Sequence, residues 1–255
     1  MGVIPIHRQW AAHPQTAVCS ACAVRGEALF GALDEAGLQR IHAHITPLAL
    51  EADEPVYRRG SAAGAVYTLR SGLVRFERFN DRGERRIVRL AGRGDLIGQE
   101  ALLQRPHADD AVACTPVALC RIPASLVNEL VLNDHQVQRE LMRRWQQALD
   151  DSEAWLSDLA AGTARQRMLA LLQRLAAHAG PGAFIWLPRR EEMGAMLDMT
   201  LETASRQVSQ LRREGVLECI SARQTRLHLP ALEAALQAET DGQPCTAQPG
   251  RRALP

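Results

Sequence analysis

The sequence contains no lysine: all 30 of its basic residues are arginine, set against 29 acids for a formal net charge of +1. Arginine's forked guanidinium suits phosphate and guanine, but a chain-wide absence of lysine also covers positions with no such role. It therefore reflects nucleotide composition in the source genome and carries no functional reading. Long apolar runs are missing too. No stretch reaches the roughly 18 apolar residues that a membrane span requires, and residues 1–17 lack the apolar core of a secretory signal. A cytoplasmic protein is expected, in which the six cysteines stay reduced unless they are redox-active. No βαβ pattern surrounds Cys19-x-x-Cys22, so a thiol oxidoreductase lacks the fold that usually carries one. An enzyme is not expected, although a thiol-disulfide redox protein using that pair is the alternative.

What remains is a chain of 255 residues, 46% hydrophobic and 4% aromatic, long enough for two domains with their own cores. Its near-neutral charge conceals an asymmetry. Residues 126–162 hold 3 Arg against 7 acids, whereas residues 163–230 hold 10 Arg against 6.

The basic half contains the most informative stretch, Thr200-Leu201-Glu202-Thr203-Ala204-Ser205-Arg206. Met193, Met196 and Leu197 recur at helical spacing, Asp198-Met199 interrupts them, and Thr200 is a good N-cap. A second helix is expected from Leu201 to about Glu214, stopped by Gly215. Leu201, Ala204, Val208 and Leu211 would face a core, leaving Glu202, Ser205, Arg206 and Gln210 outward. That is the pattern of a helix-turn-helix. Arg206 can fork onto O6 and N7 of guanine, Glu202 can accept from N4 of cytosine, and Ser205 can bond either way. Glutamate beside phosphate is tolerable only if it meets a base donor or pairs with Arg206. Backbone contacts are expected from Arg189, Arg190, Thr200, Arg212, Arg213 and Arg223, with Arg226 as a further cation. Residues 216–220 and 225–229 read as two strands around a turn, a wing tipped by Arg223. An ordinary helical hairpin with a solvated face, or a wing and helix that contact protein, are the competing readings.

Residues 46–122 are dense in short alternating runs at 66–69, 73–79, 86–90 and 117–122, separated by Ser71-Gly72, Asn80-Asp81-Arg82-Gly83 and Gly92-Arg93-Gly94-Asp95. They predict an all-β roll or barrel. Leu141, Trp145, Ala148, Ser152, Trp155 and Leu159 then recur at alternating steps of four and three, the seam of a helix that pairs with a second copy or packs on its own roll. Asp150, Asp151, Glu153 and Asp158 are acids close to that seam. The expected organisation is α+β: an irregular arm at 1–30 with Cys19 and Cys22, a β-roll at 31–125, a dimerisation helix at 126–162, a winged helix-turn-helix at 163–232 and a disordered tail at 239–255.

This order resembles the superfamily of the cyclic-AMP receptor protein and the fumarate and nitrate reduction regulator (CRP/FNR), through Gly94-Asp95-Leu96-Ile97-Gly98 and Glu202-Thr203-Ala204-Ser205-Arg206. The resemblance implies a homodimeric transcription regulator that reads a TTGAT-N4-ATCAA-like palindrome through Glu202, Ser205 and Arg206, contacts RNA polymerase and works as an activator. It offers two inputs. Cyclic nucleotide is disfavoured, because Asp109 and Asp110 stand about where its phosphate would sit after Gly98-Gln99-Glu100. A [4Fe-4S] cluster would draw on Cys19, Cys22 and Cys120, the third arm position being Ala28, with Cys114 or Glu27 as substitutes. Cys114 and Cys120 equally suit small buried apolar sites, and Cys19-x-x-Cys22 suits a dithiol switch. A haem sensor, or an unidentified small ligand in the roll, is a further input, but His42, His44, His107 and His135 are expected at the surface rather than on haem iron. A redox or gas signal, oxygen or nitric oxide, is the expected class.

Overall fold

A computed structural model describes residues 22, 24–33, 44–179 and 184–241, which form two compact units meeting between Ala160 and Ala161. Cys19, His42 and the tail beyond Asp241 lie outside the described residues.

In the first unit, branched and aromatic residues alternating with polar ones make eight strands: β1 Thr46–Leu50, β2 Pro55–Tyr57, β3 Ala65–Ser71, β4 Val74–Phe79, β5 Arg85–Ala91, β6 Leu96–Ile97, β7 Asp110–Ala113 and β8 Val117–Pro123. They pair antiparallel into two four-stranded sheets, ordered β1-β8-β3-β6 and β2-β7-β4-β5. Because side chains alternate faces along a strand, Leu48, Leu50, Leu69, Val74, Phe76, Ala113 and Leu119 turn inward from both sheets and close one core.

A second core lies on the other side of β3 and β8. Val66 and Ile122 meet Val127 and Leu130 of α1 (Ala124–Asn133), Val137 and Leu141 of α2 (His135–Ala160), and Leu29, Phe30 and Leu33 of the N-terminal arm. The described part of the arm, residues 24–33, is thus packed on this core. It carries 3-10 turns at Arg25–Glu27 and Leu29–Ala32, and burial of Leu29 and Phe30 contributes about 1.5–3 kcal/mol for each side chain.

The long helix expected over 126–162 is two helices. Asp134 breaks it at φ −137° and ψ 107°. Its carboxylate accepts from the backbone N–H of Gln136 at 2.8 Å and Val137 at 3.3 Å, so it caps the start of α2. A short polar side chain that competes for backbone donors ends one helix and begins the next.

The second unit contains α3 Ala164–Ala179, β9 Ile185–Trp186, α4 Arg190–Leu197, α5 Leu201–Arg213, β10 Leu217–Cys219, β11 Gln224–Leu227 and α6 Leu229–Asp241. Met168, Leu169, Leu171 and Leu172 of α3, Met193 and Leu197 of α4, and Ala204, Val208 and Leu211 of α5 are buried. The final helix runs to Asp241, so residues 239–241, expected in the tail, are helical.

Candidate nucleic-acid interface

The turn between α4 and α5 is built by local rules. Asp198 closes α4 in the left-handed region at φ 52°, and a Cβ on Gly194 would lie 2.7 Å from the Met199 carbonyl oxygen, so the tight approach of the two helices requires glycine there. Thr200 caps α5, its Oγ1 accepting from Thr203 N–H at 3.2 Å. At the far end Gly215 adopts φ 74°, a conformation glycine reaches without Cβ strain.

Glu202, Ser205 and Arg206 are all exposed on the outward face of α5. Hydrogen bonds from its own backbone N–H and from Thr200 hold the Glu202 carboxyl below its ordinary range, so it stays ionised. Leu201, expected inside, is 46% exposed. As the first helical residue it precedes the buried stripe that begins at Ala204.

Of the residues expected on the phosphate backbone, Arg212 and Arg213 are exposed at the end of α5. Arg190 is half-buried near Met193, and burial lowers its guanidinium from the ordinary range. The wing forms from β10 and β11, and β9 adds a third strand that sequence periodicity missed because it is two residues long. Arg223 does not point away from the wing tip. It grips the buried carboxylate of Glu192 on α4, with Nη1–Oε2 at 2.5 Å. Arg226 pairs with Glu218 across the wing at 2.8 Å. Arg165 on α3 holds Glu214, just past the end of α5, at 2.7 Å and Glu239 on α6 at 3.0 Å, which fastens the reading helix to its scaffold.

The seam expected on α2 divides. Leu141, Trp155 and Leu159 are buried within the chain itself, whereas Trp145 is 38% exposed and Ala148 and Ser152 are half-buried. The outward apolar stripe is Met142, Trp145, Leu149 and Leu156, with Ser152 completing the spacing. Both sets step by three and four, so periodicity could not choose between them. Packing of Leu141 beside Leu29 and Phe30 does. Asp150 and Asp151 accept from Gln146 and Gln147 one turn earlier, at 2.7 and 3.0 Å.

In the roll, Asp109 is held by Arg78 at 2.7 Å, and Asp110 accepts from the Arg59 backbone N–H at 2.7 Å. They stand beside an open cleft of about 730 Å³ lined by Arg59, Arg78, Glu100, Arg105, His107 and Trp145. His107, expected at the surface, is buried and stacks on Tyr57 with ring centroids 3.7 Å apart. Burial works to raise the Glu100 carboxyl, but the nearby His107, with Nδ1 3.7 Å from Oε2, and backbone N–H groups outweigh it and keep Glu100 below its ordinary range. His44 and His135 are exposed.

Among the described residues the cysteines do not assemble a four-thiolate site, Cys19 of the expected set lying outside them. Cys22 and Cys120 are half-buried, and Cys114 is buried in the loop after β7. Glu27 is engaged by Arg93 at 3.1 Å and Ala28 has no donor atom. Among the described residues no three His, Cys, Asp or Glu side chains come together as metal ligands. The residues described therefore do not fit a cubane, which normally takes four thiolates.

A roll of two antiparallel sheets, a long helix with an outward apolar stripe, and a two-helix reader beside a wing define the class of winged helix-turn-helix regulators. Residues 47–134 match the cyclic nucleotide-binding domain family and residues 166–235 the Crp-like helix-turn-helix domain family. The chain is 28% identical over 204 residues to a probable transcriptional activator of Rhizobium leguminosarum bv. viciae, covering 78% of this chain and 84% of that protein. It is 28% identical over 174 residues to the transcriptional activator protein FnrA of Stutzerimonas stutzeri, covering 66% and 71%. The structure of FixK2 from Bradyrhizobium japonicum superposes with a TM-score of 0.67 at 27% identity, over 80% of this chain and 99% of that one. The chain belongs to the CRP/FNR family of DNA-binding transcription regulators.

Proposed function

We propose that the protein binds, as a homodimer, a palindrome of the TTGAT-N4-ATCAA kind, reading each half-site with Glu202, Ser205 and Arg206. One observation carries this: those three side chains share the exposed face of α5 while Ala204, Val208 and Leu211 anchor the opposite face. Arg189, Arg190, Thr200, Arg212 and Arg213 lie at the ends of the two helices and meet the phosphates that set register. The stripe Met142, Trp145, Leu149, Ser152 and Leu156 supports dimerisation, since two such faces bury one another at coiled-coil spacing and a two-fold dimer matches a palindrome. The protein acts in the cytoplasm, recruits RNA polymerase and activates transcription; activation is what two relatives' names state of them.

The signal is of a redox or gas kind. Asp109 and Asp110 do not by themselves repel a cyclic phosphate, because each is paired with an arginine, Arg78 and Arg58, and the cleft's own lining sets Arg59, Arg78 and Arg105 against Glu100. Cys22 lies on an arm that α2 holds directly: Arg144 donates to the Gly94 carbonyl at 2.8 Å and to the Glu27 carbonyl. A change at the arm thereby reaches the residue next to Trp145 on the outward stripe.

Gel-shift titration against the palindrome tests the assignment. Wild type is expected to discriminate it from a scrambled duplex, and Arg206→Ala to lose about 1–3 kcal/mol of that discrimination. Equal binding of both duplexes by the wild type would refute the reading.

A further inference from the structure

Glu192 is the buried acid of the second unit that an exposed charged reader has least reason to contain. Its side chain is 1% exposed, and a buried carboxylate persists only where its lone pairs are met. Here they are met from two elements. Oε2 accepts from the Arg189 backbone N–H at 2.6 Å, closing the first turn of α4. The Arg223 guanidinium donates to both oxygens, at 2.5 and 3.3 Å. Arg223 is held from its other sides as well. Its Cζ lies 5.1 Å from the Trp186 ring centroid, and its carbonyl accepts from Leu187 N–H at 2.9 Å. Its neighbour Gln224 pairs with Trp186 in the sheet.

We propose that Arg223 and Glu192 form a strut that fixes the wing to the start of the helix-turn-helix, and that Arg223 is a positioning residue rather than a phosphate ligand. The fork of one guanidinium spans the carboxylate while its plane faces an indole, a geometry that a point-charge ammonium does not reproduce. What is left at the wing tip is Ser221 and Ala222, both exposed and uncharged. The wing therefore approaches DNA as a placed backbone, and its placement is set from α4. This rests on the DNA-reading assignment above.

The test uses the full chain with a duplex carrying TTGAT-N4-ATCAA, titrated over a range of salt. Arg223→Lys keeps the charge and removes the fork. Glu192→Gln keeps an acceptor for Arg189 N–H and removes the ion pair. If the strut is correct, both weaken binding by roughly tenfold, the value of one misplaced charge-assisted contact. The double variant is then no weaker than either single, and the slope of log affinity against log salt is unchanged in Glu192→Gln. If Arg223 instead meets a phosphate, Arg223→Lys binds like wild type, Glu192→Gln binds as well or better, and Arg223→Gln lowers the salt slope by about 0.9. That pattern overturns the proposal.

Hydrogen exchange on the free protein keeps the outcome separate from the DNA assignment. Faster exchange at Leu187 N–H, which donates to the Arg223 carbonyl, is expected in Arg223→Lys and Glu192→Gln, whatever duplex the protein prefers. Unchanged exchange in both variants refutes the strut even where wild type binds no palindrome at all.

Discussion

Replacing Arg144 by methionine isolates the contact through which α2 holds the N-terminal arm. Arg144 is 9% exposed; its Nη1 donates to the Gly94 carbonyl at 2.8 Å and its Nη2 to the Glu27 carbonyl. Its Nε lies 2.9 Å from Glu140 Oε1, an ion pair without an aligned hydrogen bond. Methionine keeps the apolar stem, so the loss is confined to the guanidinium. Two charge-assisted hydrogen bonds are each worth about 1.5–3 kcal/mol, while the cost of burying the guanidinium is recovered when it is removed. Burial indeed pulls the Arg144 guanidinium below its ordinary range. Glu140 keeps Arg143 at 2.7 Å, so no acid is stranded. A cavity of about 420 Å³ lined by Gly26, Glu27, Arg93 and Asp95 adjoins the site, so water reaches the two abandoned carbonyls and limits the penalty. The net expectation is about 2 kcal/mol. Urea unfolding of the full chain, followed by tryptophan fluorescence, measures it, and amide exchange at Gly26 to Leu29 should rise in parallel. Arg144→Lys should rescue little, because one ammonium cannot span both carbonyls with a fork's geometry. A change below about 0.5 kcal/mol, with arm exchange unaltered, would refute the claim that this guanidinium holds the arm.

Thr200→Ala removes the cap on α5 and should cost about 1 kcal/mol in thermal or urea unfolding of the second unit. Leu149→Asp with Leu156→Asp should shift the protein to monomer in sedimentation while leaving its circular dichroism intact, because both side chains are exposed; Trp155→Ala, which opens a buried site, should instead lose about 3–5 kcal/mol of stability. The hydrogen bond from Arg143, against opposing burial, holds the Glu140 carboxyl below its ordinary value of 4.5. A depressed folded value contributes stability that is fully present above the unfolded value and is lost as pH falls through the folded one, so Arg143→Gln should lower urea resistance at neutral pH and lose less of it on acidification, the gap to wild type closing below about pH 5.

The reading helix was legible in sequence because its rules are local. Thr200 accepts from an N–H three residues away, Ala204, Val208 and Leu211 repeat at helical spacing, and Gly215 supplies the conformation that ends the helix. The roll was legible for a similar reason through β3, β4, β5 and β8, where two-residue alternation and turn residues mark the strand, whereas β1, β2, β6 and β7, two to five residues long, gave no run. The faces of α2 were not, because residues 141 and 142 begin equally periodic stripes and only Leu29 and Phe30, far away in the chain, decide which goes inward. His107 illustrates the same limit: a lone histidine in a loop has no sequence signal that it will stack on Tyr57, fifty residues earlier.

The sequence by itself therefore determined the order of roll, helix and winged reader, and, Leu201 apart, which residues of α5 face outward, because periodicity, capping and turn chemistry act over a few residues. Tertiary structure alone decided what the arginines do. Arg206 stands exposed, Arg144 clasps the arm, Arg165 anchors the reading helix, and Arg223 reaches Glu192, thirty-one residues away. Every arginine carries the same fork and charge, and only the carboxylate, carbonyl or open solvent that the fold brings beside it assigns its role.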